Sequence, residues 1–292
     1  MAPGKPLVVI VGPTASGKSE LALKIAKKFN GEIICADSRT VYKGMNIGTA
    51  KPTLQDQQAI KHHLLDVVEP GQVFTVHDFQ RLAETAIADI RGRQKLPILV
   101  GGSGLYIDSV IFDYSFPAPT SLRQHQQLDE LTVDKLINYC QKNTVVLPAN
   151  QRNKRHLISA ITRNGSLSGK RSEPIDHCII VGITTNKDIL RQRITARAEH
   201  LFSHGVVEEA RNLGEMYGWN SEAMTANIYQ VACLLLKKEI SKEEAKTRFI
   251  TLDYRLAKRQ MTWFKRNCFI EWKSLIQAEH FLFALLAKTE QK

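Results

Sequence analysis

Cysteine is scarce and scattered in this chain: Cys35, Cys140, Cys178, Cys233 and Cys268 are five in 292 residues, odd in number and far apart. That excludes a disulfide framework and leaves no C-x-x-C pair for a zinc site. Long apolar runs are missing as well; none approaches the roughly 20 residues that cross a bilayer. The opening Met1-Ala2-Pro3-Gly4-Lys5-Pro6 has no apolar core or small-residue cleavage site of a secretory signal, so a cytoplasmic, membrane-free protein is expected. There is no internal repeat and no low-complexity tract, which excludes a solenoid. Acidic residues are in deficit, 29 against 40 Lys plus Arg, a formal charge of +11. Such an excess draws polyanions, nucleic acid first among them, although charge alone also serves solubility.

What is present begins with a core. The hydrophobic share of 43% suffices for one large or two modest domains. Leu7 to Val11 reads as one buried strand, and Glu20 to Phe29, with Leu21, Leu23, Ile25 and Ala26, as a helix against a sheet. Between them lies Gly12-Pro13-Thr14-Ala15-Ser16-Gly17-Lys18-Ser19. The spacing G-x-x-x-x-G-K-S turns successive backbone N–H groups into one concavity at a helix N-terminus, which favours a phosphate or diphosphate. Lys18 adds a point charge, and Ser19 can hold a magnesium ion that bridges phosphate oxygens. The motif calls for a diphosphate without saying which molecule carries it.

Glu32 to Ala36 reads as a second strand ending in Asp37-Ser38-Arg39-Thr40. Loops beyond the carboxyl ends of a parallel sheet line its ligand crevice, which puts Asp37 near the phosphate loop. A carboxylate there can take a proton from an acceptor nucleophile or bind magnesium through water; it can equally be a turn or capping aspartate. Tyr42 to Pro52 is a glycine-punctuated loop. His62 to Val68 suggests a short strand entered through two histidines, which point to opposite faces and favour structure over metal. Val76 to Arg93 has helical spacing, with Thr75 or Asp78 near its start.

Leu96 to Val100 is a buried strand running into Gly101-Gly102-Ser103-Gly104. A phosphoryl-transferring NTPase would show an aspartate at the end of such a strand. Here the glycines allow close approach to a ligand or make a tight turn, and Ser103 offers a hydroxyl. A proline-bearing connection at Asp113 to Pro119 marks a boundary. The segment 114–174 reads as a small helical insertion with a basic cluster that includes Arg152, Lys154 and Arg155, dividing the core into 1–113 and 175–292. Cys178 to Ile183 returns to strand character, and Lys187 to Leu213 is a long helix breaking at Gly205. On it, Arg193 and Arg197 share a face that can reach a diphosphate, or are solvated.

Glu243 to Asn267 is the second informative stretch. At about 100° per residue, Phe249, Leu252, Leu256 and Trp263 fall on one narrow face. Arg248, Arg255, Lys258, Arg259, Lys265 and Arg266 fill the adjoining arc without acidic interruption after Asp253. One buried side and one basic stripe suit a nucleic-acid backbone.

Taken together, Gly12 to Ser19, Ala36-Asp37-Ser38-Arg39 with Tyr42 to Pro52, Pro97 to Tyr106, and Ala257-Lys258-Arg259-Gln260 with Thr262-Trp263-Phe264 resemble the tRNA dimethylallyltransferase family, bacterial type, in the family's order across nearly the whole chain. The resemblance implies a P-loop NTPase-like α/β fold, a parallel sheet flanked by helices with a helical insertion. It implies transfer of a dimethylallyl group from dimethylallyl diphosphate to the exocyclic amine of the adenosine 3′ of the tRNA anticodon, with diphosphate leaving. It implies that Gly12, Pro13, Thr14, Ala15, Ser16, Gly17, Lys18 and Ser19 cradle the diphosphate with Mg2+ on Ser19, that Lys18 stabilises it, that Asp37 takes the amine proton and that Ser103 orients the amine or the diphosphate. Asp37, Ser38, Arg39, Thr40, Ser103, Arg152, Arg155, Arg255, Lys258 and Arg259 would then meet the tRNA anticodon loop, in a monomer. The family's Ile-Gly-Tyr element stands here as Asn227-Ile228-Tyr229. A phosphate-loop small-molecule kinase, an adenylate prenyltransferase and a non-catalytic RNA-binding module are the competing readings.

Overall fold

Buried apolar runs become strands wherever helices can cover both faces, and four of them build the centre of this protein. The computed structural model describes residues 5–116, 127–163 and 169–290. The chain divides into two compact units, Met1–Ile111 with Pro174–Lys292, and Phe112–Glu173.

In the first unit, in chain order, are β1 (Leu7–Val11), α1 (Lys18–Lys28), β2 (Gly31–Ala36), α2 (Leu54–Ala59), β3 (His62–His63), α3 (Val76–Gly92), β4 (Leu96–Gly101) and α4 (Gly104–Ile111). The second unit contributes α5 (Val133–Lys142) and α6 (Lys154–Arg163). The first unit resumes with β5 (Cys178–Thr184), α7 (Lys187–Ser203), α8 (Val206–Tyr217), α9 (Asn227–Leu236), α10 (Lys242–Phe264), β6 (Glu271–Ser274) and α11 (Leu275–Glu290). The sheet order is β3-β2-β4-β1-β5-β6 and every pairing is parallel. Register pairs Val9 with Leu99 on one side and Ile180 on the other. Because β1, β2 and β4 run the same way, the loops after Val11, Ala36 and Gly101 emerge at one rim.

Leu21 and Ile25 of α1 and Leu282 and Leu286 of α11 pack with Val8, Ile10 and Ile98 into one core. Tyr229, Phe249, Leu201, Phe202 and Leu213 close a second core among α7 to α10, joined by Val41, Tyr42 and Met45 of the loop after β2. α3 starts in a full capping box: Thr75 Oγ1 accepts from the Asp78 N–H while Asp78 accepts from the Thr75 N–H. α7 and α8 part at Gly205, whose φ of 89° lies in the left-handed region that glycine enters without steric cost.

Two expectations needed correction, and two elements had no signal to read. The strand from His62 stops at His63, because Leu64 and Asp66 turn the chain with φ of 63° and 54°. The buried stripe of α10 is Ala245, Phe249, Asp253, Ala257 and Phe264, while Leu252, Leu256 and Trp263 are half-buried beside it. The small alanines let neighbouring helices approach closely, so the stripe centres on them and not on the larger leucines. Strand β6 and helix α2 are too short and polar to show a period.

In the second unit, Leu136 and Cys140 of α5 pack on Leu157, Ile158 and Ile161 of α6, and no strand occurs among the described residues. Residues 117–126 and 164–168 of the expected insertion lie outside the described residues, as does the side chain of Arg155.

Candidate active site

The turn after β1 is built to expose its amides. Ala15 at φ 60° and Gly17 at φ 91° curl the backbone into a concavity that ends on the first turn of α1. Lys18 Nζ donates to Pro13 O at 3.1 Å, folding the ammonium back over the loop. Burial pushes Lys18 down to about 8, a shift that Asp37 opposes and Arg197 reinforces. Ser16 Oγ is buried without a hydrogen-bond partner among the described residues. Two arginines of α7 reach the same loop. Arg193 Nη1 donates to Ser16 O at 3.1 Å, and Arg197 Nη1 donates to Thr14 Oγ1 at 2.6 Å.

The ends of β2 and β4 face this cradle across a cavity of about 830 Å³. It is lined by Thr14 to Ser19, by Asp37 to Thr40 and by Gly101 to Ser103. Asp37 Oδ1 accepts from the Arg39 N–H at 2.8 Å, closing a turn at the cavity wall. Ser103 Oγ accepts from the Ser38 N–H at 3.0 Å, tying the two strand ends together. Gly101 permits this: a Cβ there would stand 1.9 Å from Ala36 O. Asp37 thus shapes its turn, as one reading has it, and lines the cavity, where the other needs it.

Apart from Arg155, the expected residues have definite places. Gly12 and Pro13 do not line the cavity, though Pro13 O accepts from the Ser16 N–H and from Lys18 Nζ, and Arg259 lines the cavity from α10. Arg255 lies farther along α10 in a separate depression, and Lys258 is exposed with its ammonium 4.8 Å from the Tyr254 ring centroid. Arg39 turns inward instead, donating to Glu222 O at 2.6 Å and Thr225 Oγ1 at 3.0 Å, so it braces the chain ahead of α9. Thr40 is buried. Arg152 is exposed in the second unit.

Other residues took their roles only in three dimensions. Gln260 Oε1 accepts the Thr14 N–H at 2.8 Å, so α10 sets the shape of the cradle from across the cavity. Asp253, buried beneath it, accepts from Asn227 Nδ2 at 3.3 Å and lies 3.9 Å from Arg197; burial raises its pKa. Glu209 of α8 accepts the N–H groups of Asn46, Ile47 and Gly48 at 2.7 to 2.8 Å, and the Tyr229 hydroxyl at 2.8 Å. One carboxylate thus fixes the loop that supplies Gly48 to Thr53 to the cavity wall. Local sequence carries no sign of this, because a glutamate in a first helical turn is ordinary.

Glu32, His63 and Asp89 place one ligand atom each within 4.8 Å of one another, a spacing that could hold a metal ion. Glu32 is already occupied: Arg93 Nη2 at 2.7 Å, Lys95 at 2.8 Å and His63 Nε2 at 2.7 Å surround it. With two fixed cations in place the cluster has no charge left for a third, and it sits at the amino end of β2, away from the cradle.

Comparison with known proteins agrees with this geometry. Residues 40–267 match the model of the IPP transferase family. A tRNA dimethylallyltransferase of Thermoanaerobacter sp. is 40% identical over 285 residues, covering 91% of this chain and 90% of the relative. That of Staphylococcus saprophyticus is 36% identical with the same coverage. Among solved structures, the tRNA isopentenylpyrophosphate transferase of Bacillus halodurans superposes with a TM-score of 0.74 at 30% identity, covering 98% of both chains. A eukaryotic dimethylallyltransferase, solved acting on tRNA, shares the fold at a TM-score of 0.74 and 23% identity, over 89% of this chain and 70% of that one.

Proposed function

The chain belongs to the IPP transferase family of tRNA-modifying transferases, and from that premise we propose that it moves a dimethylallyl group from dimethylallyl diphosphate onto the exocyclic amine of the adenosine 3′ of the tRNA anticodon. The observation that carries this reading is the placement of cradle, carboxylate and hydroxyl on three parallel strand ends around one cavity. The diphosphate takes the amides of Ala15 and of Gly17 to Ser19, the Lys18 ammonium and the guanidinium groups of Arg193 and Arg197. These groups stabilise the charge that collects on the leaving diphosphate as the allylic C–O bond breaks. The amine nitrogen attacks the allylic carbon, the new N–C bond forms, and Asp37 takes the proton the nitrogen sheds. Ser103, held by the Ser38 N–H, orients the amine.

The hydroxyls of Ser19, exposed, and Ser16, buried without a partner, fit a magnesium ion at the diphosphate, with Ser19 the residue that would hold it. When bound, the ion supplies further neutralisation of the departing charge. A phosphate passed onward would call for an acid at the end of β4, where Gly101, Gly102 and Ser103 stand. Because an adenosine held in the anticodon stack cannot reach the cavity, the base leaves the stack to react.

Labelled dimethylallyl diphosphate, unmodified tRNA and AMP separate the readings. Label enters tRNA and not AMP, and ATP is not consumed. Asp37→Asn lowers kcat by about a thousandfold, the middle of the range for a lost general base, with tRNA binding within about twofold of wild type. A near-normal kcat would remove Asp37 from the reaction, and label in AMP would make the adenylate the substrate.

A further inference from the structure

We propose that the groove between α9 and α10 holds a second nucleotide of the bound RNA, a near neighbour of the adenosine that is modified. The proposal rests on the tRNA reading above and extends it to a subsite. A second cavity, of about 540 Å³, opens along this groove. Asn227 and Ile228 at the start of α9 line the first cavity, whereas Gln230, Cys233 and Leu234 farther along line the second. On α10, Arg248, Leu252 and Arg255 line the second cavity, while Phe249, Asp253, Leu256, Arg259 and Gln260 line the first. The two cavities therefore share one pair of helices and open on adjoining faces of α10.

The lining has the chemistry of a nucleotide. Leu234 and Leu252 give an apolar floor, Trp219 a half-buried aromatic wall, and Asn220 and Gln230 side-chain amides for base edges. Lys237, Arg248 and Arg255 stand at the rim, all exposed, and no lining residue is acidic. Neither Arg248 nor Arg255 forms an ion pair among the described residues; Glu244, one turn before Arg248, is spent on the Ser241 cap. At 100° per residue, Arg248, Arg255 and Arg259 fall within about 40° of one another and span about 16 Å along the axis. That row of cations leads from the second cavity to the first, as a single strand does when its phosphates track a basic groove and its bases stack at intervals.

Cys233 lies in the groove and reports on it directly. Iodoacetamide alkylation is followed by peptide mapping in the wild-type protein, alone, with saturating unmodified tRNA, and with AMP plus pyrophosphate. Transfer of the dimethylallyl group to the same tRNA is measured in parallel. tRNA slows alkylation of Cys233 by about tenfold or more, and AMP with pyrophosphate does not. Trp219→Leu and Arg248→Ala each raise the KM for tRNA by about tenfold, the size of one lost stacking or phosphate contact, and leave kcat within about twofold. In an anticodon stem-loop, one abasic position near the target weakens binding to the wild type and not to Trp219→Leu. Undiminished alkylation of Cys233 beside normal transfer overturns the subsite alone; no transfer to tRNA overturns the parent reading and the subsite with it.

Discussion

At Lys18, burial and neighbouring charge pull the ammonium in opposite directions. Burial disfavours the charged form and brings the group down to about 8, while Asp37 across the cavity holds it up. A diphosphate is attracted only by the protonated amine. Affinity for pyrophosphate in the empty site therefore is full below pH 7 and falls as pH rises through 8, in the sense opposite to deprotonation of a carboxylate. Isothermal titration from pH 6.5 to 9.5 should show this decline. Lys18→Met binds at least about tenfold more weakly, as expected for loss of a charge-assisted contact, and follows a flatter pH profile. An equal slope in both proteins would assign the pH dependence to another group. Residues of this kind were the most legible ones. Gly12 to Ser19 fix their geometry by short-range backbone rules, and Asp37 and Ser103 follow from strand polarity. Arg39 was not legible in the same way: its partners, Glu222 and Thr225, lie more than 180 residues away.

Elements divide along the same line. α1 and α10 announce themselves by period, α3 by period and cap, and the basic arc of α10 is exposed as its sequence suggested. What joins the elements was hidden. The loop from Tyr42 to Pro52 reads as irregular, yet it is fixed at both ends: Lys51 Nζ donates to Tyr42 O at 2.6 Å and Asp66 at 2.5 Å, and Glu209 gathers three successive amides. A carboxylate receiving several backbone N–H bonds is a strong, charge-assisted anchor. Glu209→Ala should accelerate amide hydrogen exchange of Asn46, Ile47 and Gly48 by about tenfold or more while β1 stays protected. It should lower kcat/KM by about tenfold through a looser cavity wall. Unchanged exchange at these three amides would dismiss the clamp.

Across the whole molecule, the parallel sheet separates chemistry from support. Its carboxyl rim carries the cavity, and at the amino end of β2 the Glu32 side chain, 2% exposed, is held by Arg93, Lys95 and His63. These partners keep the Glu32 carboxyl well below the usual carboxylate range, with Arg93 the largest cause. Its contribution to stability is therefore fully present above about pH 4.3, the unfolded value, and is lost as pH falls toward the folded one. Glu32→Gln should cost about 2–3 kcal/mol at pH 7, at or below the low end for a buried pair because Arg93 and Lys95 remain about one-third exposed. Urea unfolding at pH 7 and at pH 3.5 tests this: the gap narrows in acid, and kcat stays close to wild type at pH 7. A gap that persists unchanged in acid would trace the loss to packing.

The hydrogen bond from the Thr14 amide to Gln260 gives α10 a further consequence. Under the proposed function, a single rod of 23 residues grips the donor's cradle near one end, through Gln260, and turns its arginine flank to the nucleic acid. Each substrate would then bear on the same rod, so the two occupancies are mechanically wed and the order of arrival is something the helix itself can feel.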